Sequence, residues 1–209
     1  MKRIGIVGGT FDPIHFGHLM LGRQAYQEYS LDEVWYMPSR QPPHKQDHLI
    51  TPSEKRVEMI RLAIQDIPHF RVSEFELKRT DGNTYTADTL RLLKREYTGV
   101  EFFFIVGADS IFEIENWFHP EQVLRLAIFL AAGRECGSYE KTLEEQIHYL
   151  ENKYGAQIEK LHIEELDISS EDIRKRVHFG QSVVKMLPEQ VDEYIKQHKL
   201  YQKGDGSDA

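Results

Sequence analysis

An α/β fold, with a parallel sheet carrying helices on both faces, is the architecture this sequence predicts. Three observations lead there. Short apolar runs rich in branched and aromatic residues recur along the chain. Stretches with helical spacing and capping residues fall between them. The runs also tend to stop at glycine or proline, as strands do when they hand over to a turn. Strands alternating with helices give a parallel sheet covered on both sides.

Arg3–Val7 is short, apolar and branched, and predicts a buried first strand. Gly17–Tyr29, with Leu19, Leu21 and Ala25 near helical spacing, predicts a helix. Val34–Met37 is a second strand, ended by Pro38. Ser39–Ile50 carries Pro42-Pro43 and many polar residues, and is expected to be a mobile loop. In Thr51-Pro52-Ser53-Glu54, Thr51 can cap a helix, Pro52 suits its first position and Glu54 completes a capping box. That helix is expected to reach about Asp66. Phe70–Leu77 alternates and predicts a strand, Asp81-Gly82-Asn83 a turn, and Thr86–Tyr97 a second capped helix. Glu101–Val106 predicts a strand running into a loop at Gly107-Ala108-Asp109-Ser110. Pro120–Leu126 and Tyr139–Tyr154 predict helices around a strand at Ile128–Ala131. Ile158–Ile163 is expected to be the last strand. Ile168-Ser169-Ser170 caps a helix from Glu171, and Pro188–His198 closes a small helical C-terminal part. The expectation is one domain over 1–202, doubly wound and Rossmann-like, with a disordered polar tail over 203–209.

The chain has 209 residues, 40% of them hydrophobic and 29% charged, which suits a single soluble domain with a real core. Its single cysteine, Cys136, excludes an internal disulfide and agrees with a reducing compartment. No run approaches the ~18 apolar residues of a membrane helix. The apolar stretch after Lys2 and Arg3 is too short for a signal peptide, so a cytoplasmic location is expected. A net charge of −8 argues against a nucleic-acid partner held by a broad basic face. It leaves room for small anions held by local cations and backbone amides. Basic residues gather at Arg40–Lys45 and Arg174–Arg176, where ordinary surface solvation is the simpler explanation from composition alone.

The loops that follow strands carry the chemistry, and in an open parallel sheet they share the carboxyl edge where ligands bind. Gly8-Gly9-Thr10 lets the backbone turn tightly and lets a phosphate approach its amides. Taken alone, it is more simply a plain strand-to-helix turn, and it matches neither the dinucleotide nor the P-loop fingerprint. His15-Phe16-Gly17-His18 says more. One imidazole lies just before a helix and the other on its first turn, next to free N–H groups and a partial positive charge. Such imidazoles can donate hydrogen bonds to phosphoryl oxygens as charge builds. The alternatives are two structural histidines or a metal pair. Helical metal pairs usually have a four-residue spacing and a further ligand, which this stretch lacks. Ser169 and Ser170 can cap a helix whose amides receive phosphate, with Arg174 one turn in, although a plain capped helix explains them as well.

"GGTFDPIHFGH", with "GADS" at Gly107–Ser110 and "ISSEDIR" at Ile168–Arg174, resembles the H-x-G-H nucleotidyltransferases. Within them it is similar to the bacterial nicotinate mononucleotide adenylyltransferases, in the same order along nearly the whole chain. The resemblance implies that ATP and nicotinate mononucleotide give deamido-NAD and pyrophosphate. It implies direct in-line attack of the mononucleotide phosphate on the α-phosphorus of ATP, with no covalent enzyme intermediate. It assigns catalysis to His15 and His18, and ATP contacts to Gly8, Gly9, Thr10, Phe11, Arg134, Ile168, Ser169 and Arg174. Mg²⁺ would ride mainly on the substrate phosphates, without a dedicated protein cage. His44 and Lys45 match a mobile phosphate-contacting loop, although an exposed loop explains them equally. Glu171 stands where relatives often have a small hydroxyl residue. A homodimer is plausible by resemblance, and no interface stripe is visible.

The choice of mononucleotide turns on Thr84, Tyr85 and Thr86, which precede a helix and would present backbone N–H donors. A carboxylate only accepts hydrogen bonds, whereas a carboxamide NH₂ would meet those donors unpaired. By resemblance, these residues and Trp117 hold the nicotinate end, while Gly107 and Asp109 serve the ribose. Trp117 could otherwise be core and Asp109 a helix cap. The rivals are related enzymes for nicotinamide mononucleotide, phosphopantetheine or glycerol phosphate, and a nucleotide-binding regulator without turnover. A tRNA synthetase fragment would need an anticodon-binding domain and a basic face, which the sequence does not offer.

Overall fold

The sheet runs parallel throughout, in the order β3-β2-β1-β4-β5-β6. Its strands are β1 (Lys2–Gly9), β2 (Glu33–Pro38), β3 (Phe70–Val72), β4 (Val100–Gly107), β5 (Ile128–Ala132) and β6 (Ile158–Leu161). The computed structural model describes residues 1–40, 50–79, 84–133, 142–163 and 167–202. The strand order reverses between β1 and its two neighbours, β2 and β4, which is the doubly wound, Rossmann-like arrangement.

Alternation within the strands builds two cores. On β4, Phe103 and Ile105 face one layer, while Phe102, Phe104 and Val106 face the other. The first layer contains α1 (Phe16–Glu28), α2 (Ser53–Ile64), α7 (Ser170–His178) and α8 (Glu189–Gln197). The second contains α3 (Thr86–Glu96), α4 (Ala108–Glu113), α5 (Pro120–Leu126) and α6 (Leu143–Tyr154). The C-terminal helices α7 and α8 therefore share the layer of α1 and α2, and Ile173, Val191 and Ile195 are buried in its core. Among the described residues, no helix is long and apolar enough to cross a membrane.

Four local expectations are corrected. Thr51 does not cap α2: Pro52 occupies the cap position and no side chain bonds there. The Thr51 hydroxyl bonds Tyr201 and its amide bonds Asp12 instead. The third strand stops at Val72 rather than Leu77, because its only sheet partner is β2 and the Ser73 amide makes the last bond, to the Tyr36 carbonyl. Beyond it the chain turns, with Lys78 N–H on the Glu74 carbonyl. Thr86 does not cap α3, because the cap position is Tyr85 and carries no side-chain bond. Finally, the expected loop at 107–110 is already helical from Ala108, and α4 leads into a 3₁₀ turn at Ile114–Asn116. The start of the helix expected from Tyr139, the turn at 81–83, most of the 39–50 loop, Cys136 and the 203–209 tail lie outside the described residues.

Candidate active site

The parallel register brings the ends of the central strands to one edge. Gly8 pairs with Met37 and Gly9 with Pro38, and Gly107 pairs with Ala132. From Gly9 the chain passes through Thr10 to His15 and enters α1. Phe11 takes a left-handed φ of 53°, a conformation that costs a non-glycine residue about 1–2 kcal/mol. Burial of its ring holds it there, edge-on to His18 at 4.9 Å and to Tyr36 at 6.0 Å. The Tyr36 hydroxyl in turn donates to the His18 carbonyl, so β2 fixes the first turn of α1.

His15 is the N-cap residue of α1, and its backbone N–H donates to His18 Nδ1 at 3.3 Å. A neutral ring that accepts at Nδ1 carries its proton on Nε2. The two rings lie 3.7 Å apart at 32°. Gly17 makes this possible, since a Cβ there would stand 3.1 Å from the His15 ring. His15 is 6% exposed, and burial lowers its pKa to about 4. Its ring is therefore neutral at physiological pH, and it is set in a capping box with His18, each side chain turned to the other's backbone N–H. The first turn of α1 holds no acidic residue, so nothing on the helix offsets the positive end of its dipole. Neutral imidazole and the positive end of that dipole suit an anion, although the Phe16 amide is taken by the Met186 carbonyl.

The second signature closes on the same loop. Ser169 caps α7 by accepting from the Asp172 amide at 3.1 Å. Ser170, expected to share that task, donates to the Pro13 carbonyl at 2.9 Å instead. Arg174 Nη1 donates to the Asp12 carbonyl at 2.8 Å, so the arginine is docked and not merely solvated. The Ile168 carbonyl stands 3.9 Å from where a Gly17 Cβ would lie. The N-termini of α1 and α7 thus flank one spot. Glu171 faces solvent, paired with Lys175 at 2.6 Å.

The expected mononucleotide residues lie along the same edge, on the β4 side. Phe104 connects them to the first loop. Its ring is 3.3 Å from a would-be Gly8 Cβ and 6.5 Å, edge-on, from Trp117. Trp117 is half-buried, follows the 3₁₀ turn and packs against the edge of the second core. Tyr85 stacks on Phe118 at 4.3 Å, which ties the Thr84–Thr86 segment to the residue after Trp117. Thr84 is buried and Thr86 half-buried, while Gly107 and Asp109 are exposed at the end of β4 and the start of α4. This group and the two imidazoles form two ends of one edge, with Phe104 beneath. His44, Lys45 and Arg134 lie outside the described residues.

Sequence reasoning missed two anchors. Arg56 on α2 is 1% exposed and spends three nitrogens on carbonyls: Nε on Thr51 (2.9 Å), Nη1 on Thr10 (2.6 Å) and Nη2 on Ser39 (2.9 Å). It fastens the loops after β1 and β2 to the start of α2. A signal existed, because Arg56 stands on the stripe that continues through Ile60 and Ile64, where an unpaired charge would not be tolerated. Tyr201, the second anchor, is 189 residues from its partner Asp12 and gave no local signal.

The donors at this edge are ring nitrogens, backbone amides and guanidinium groups. They match phosphate oxygens and do not match the oxygen-rich shell that Mg²⁺ requires. Asp12, the carboxylate nearest the imidazoles in sequence, has both oxygens engaged by Tyr201 and Thr51. Among the described residues, no group of three His, Cys, Asp or Glu side chains is placed to hold a metal ion.

The cytidylyltransferase-like family model matches residues 6–176. A protein of Lachnoclostridium phytofermentans described as a probable nicotinate-nucleotide adenylyltransferase is 46% identical over 201 residues, covering 96% of this chain and 100% of the relative. One of Moorella thermoacetica with the same description is 42% identical, covering 95% of this chain and 91% of its own length. Among solved structures, nicotinic acid mononucleotide adenylyltransferase of Plasmodium falciparum complexed with NaAD superposes with a TM-score of 0.78 at 24% identity, covering 96% of this chain and 98% of that one. At that identity the likeness bears on the fold.

Proposed function

The chain belongs to the cytidylyltransferase-like family, and from that premise we propose that it is a nicotinate-nucleotide adenylyltransferase of NAD biosynthesis. It joins ATP and nicotinate mononucleotide to give deamido-NAD and pyrophosphate. One observation carries the reading to this site: the His15–His18 ring pair and the N-termini of α1 and α7 converge on one spot at the carboxyl edge.

A phosphate oxygen of the mononucleotide attacks the α-phosphorus of ATP. The new P–O bond forms as the bond to the pyrophosphate oxygen breaks, and pyrophosphate leaves opposite the incoming oxygen. The attacking oxygen is already anionic, so no protein base is required. Residues of the chain bind and orient. The His18 Nε2–H faces the developing charge, and the amides of α1 and α7 receive the phosphates. Gly8, Gly9, Thr10 and Phe11 shape the floor, with Ile168, Ser169 and Arg174 opposite. Mg²⁺, carried by the ATP phosphates and not by side chains of this chain, would supply partial neutralisation of their charge.

At the other end, the α3 N-terminus after Thr84 and Tyr85 receives the pyridine carboxylate, and Trp117 lies against the cationic ring. Asp109 accepts from the ribose hydroxyls. The absence of a capping side chain on α3 supports a carboxylate there over a carboxamide.

Pyrophosphate release tests this with ATP, Mg²⁺ and, in turn, nicotinate mononucleotide, nicotinamide mononucleotide and phosphopantetheine. Release fastest with the nicotinate form is expected. Preference for another acceptor would move the chain to a different branch, and no release with any would make it a binding protein.

A further inference from the structure

The end of the chain reaches back into the catalytic loop. After α8, Lys199 and Tyr201 both take left-handed φ values, 52° and 60°. Leu200 between them is 3% exposed and anchors the turn in the core. The turn directs the Tyr201 side chain inward, and its hydroxyl donates to Asp12 Oδ1 at 2.6 Å. Asp12 is 2% exposed, and its other oxygen accepts the Thr51 amide at 3.3 Å. The Thr51 hydroxyl donates to the Tyr201 oxygen at 3.3 Å. Arg56 then bridges the Thr51 and Thr10 carbonyls. A ring of polar contacts thus runs from Tyr201 through Asp12 and Thr51 to Thr10, two residues before Asp12 and five before His15.

This ring uses groups that adenylyl transfer does not need. A carboxylate so deeply buried is costly unless its oxygens are bonded, and here both bonds fix a position. The Asp12 backbone is the other side of the same turn, since its carbonyl takes Arg174. Any drift of the carboxylate therefore moves both the peptide that docks the second signature and the chain leading into His15.

We propose that Tyr201 is a positioning residue for adenylyl transfer, its hydroxyl fixing Asp12 and through it the turn that sets His15 and His18 against the bound phosphates. The proposal rests on the adenylyl-transfer reading. Tyr201 touches no substrate, so its loss should act on turnover and not on affinity.

The test is steady-state kinetics of the full chain with Tyr201→Phe, which keeps the ring and removes only the hydroxyl. A fall in kcat of about tenfold is expected, with KM for ATP and for nicotinate mononucleotide within about twofold. Leu150→Ala, in the core on the opposite face of the sheet, serves as a control of lowered thermal stability. Its kcat should remain close to wild type at a temperature where both variants are folded. Equal kcat losses in the two variants would mean a general stability effect and overturn the proposal. So would full turnover in Tyr201→Phe. Should Tyr201→Phe fail to fold, Thr51→Val removes the companion hydroxyl and keeps the amide that Asp12 needs. A several-fold fall in kcat at unchanged KM supports the proposal, and unchanged kcat overturns it. A wild type silent with every acceptor overturns the adenylyl-transfer reading, and this proposal with it. An active wild type with a fully active Tyr201→Phe overturns the proposal alone.

Discussion

His15 should give the fold a pH dependence of its own. The ring titrates near 6.5 when solvated, and burial lowers this to about 4 in the folded chain. Between those values the unfolded chain takes up a proton that the folded chain refuses. Stability is therefore whole above 6.5 and falls as pH drops toward about 4. Linkage gives a loss of about 2.5 kcal/mol between about pH 7 and about pH 4.5 from this one group. For a chain of this length that is about 5–10 °C in Tm. His15→Asn removes the titration and keeps a residue that suits an N-cap. Calorimetry of both proteins at the two pH values isolates the effect. Carboxylates such as Glu28 and Glu33, whose pKa values are lowered by partners that the substitution leaves in place, contribute equally to both. The wild type should lose about 5–10 °C more than the variant on acidification. Parallel losses would show that the buried imidazole is not the titrating group, and the account of a neutral His15 at the helix end would fall.

His18→Ala should lower kcat by about a hundredfold or more, the scale of losing one aligned donor to a transition-state charge, with little change in Tm; unchanged turnover would remove the role given to Nε2. Arg56→Leu should cost about 3 kcal/mol or more in denaturant unfolding, because buried carbonyls at Thr10 and Thr51 lose their donors along with Ser39. Arg56→Lys should recover little, since an ammonium cannot span the same fork. Trp117→Ala should raise KM for the mononucleotide by about tenfold, the scale of one cation–π contact, and leave KM for ATP within about twofold; equal losses for both substrates would contradict its placement at the pyridine end.

Local signals were legible where one stretch of chain decided the outcome. β-Branched runs became central strands, the Pro120–Leu126 helix has the predicted bounds, and the three-residue spacing of His15 and His18 put both rings on one helix end. The failures share a cause in tertiary partners. The alternation from Phe70 to Leu77 fits a strand, yet this edge strand has one neighbour and pairing ends where the neighbour's register ends. Thr51 and Ser170 have capping chemistry, but their hydroxyls go to Tyr201 and to the Pro13 carbonyl, 150 and 157 residues away. Helix α4 has six residues, too few for a periodicity to register.

The same loop combines several unfavourable local features with several long-range tethers. Phe11 is left-handed, His15 is a buried neutral imidazole, and Asp12 is a buried carboxylate. Left alone, each would relax by moving the loop toward solvent. Arg56 holds Thr10, Tyr201 and Thr51 hold the Asp12 side chain, Arg174 its carbonyl and Ser170 that of Pro13. These tethers fall on residues 10–13, while Tyr36 on the His18 carbonyl and the Phe16 amide on the Met186 carbonyl hold the first turn of α1. That arrangement is what a site for polyanions requires: a backbone fixed from behind so that donors in front stay in place when charge arrives.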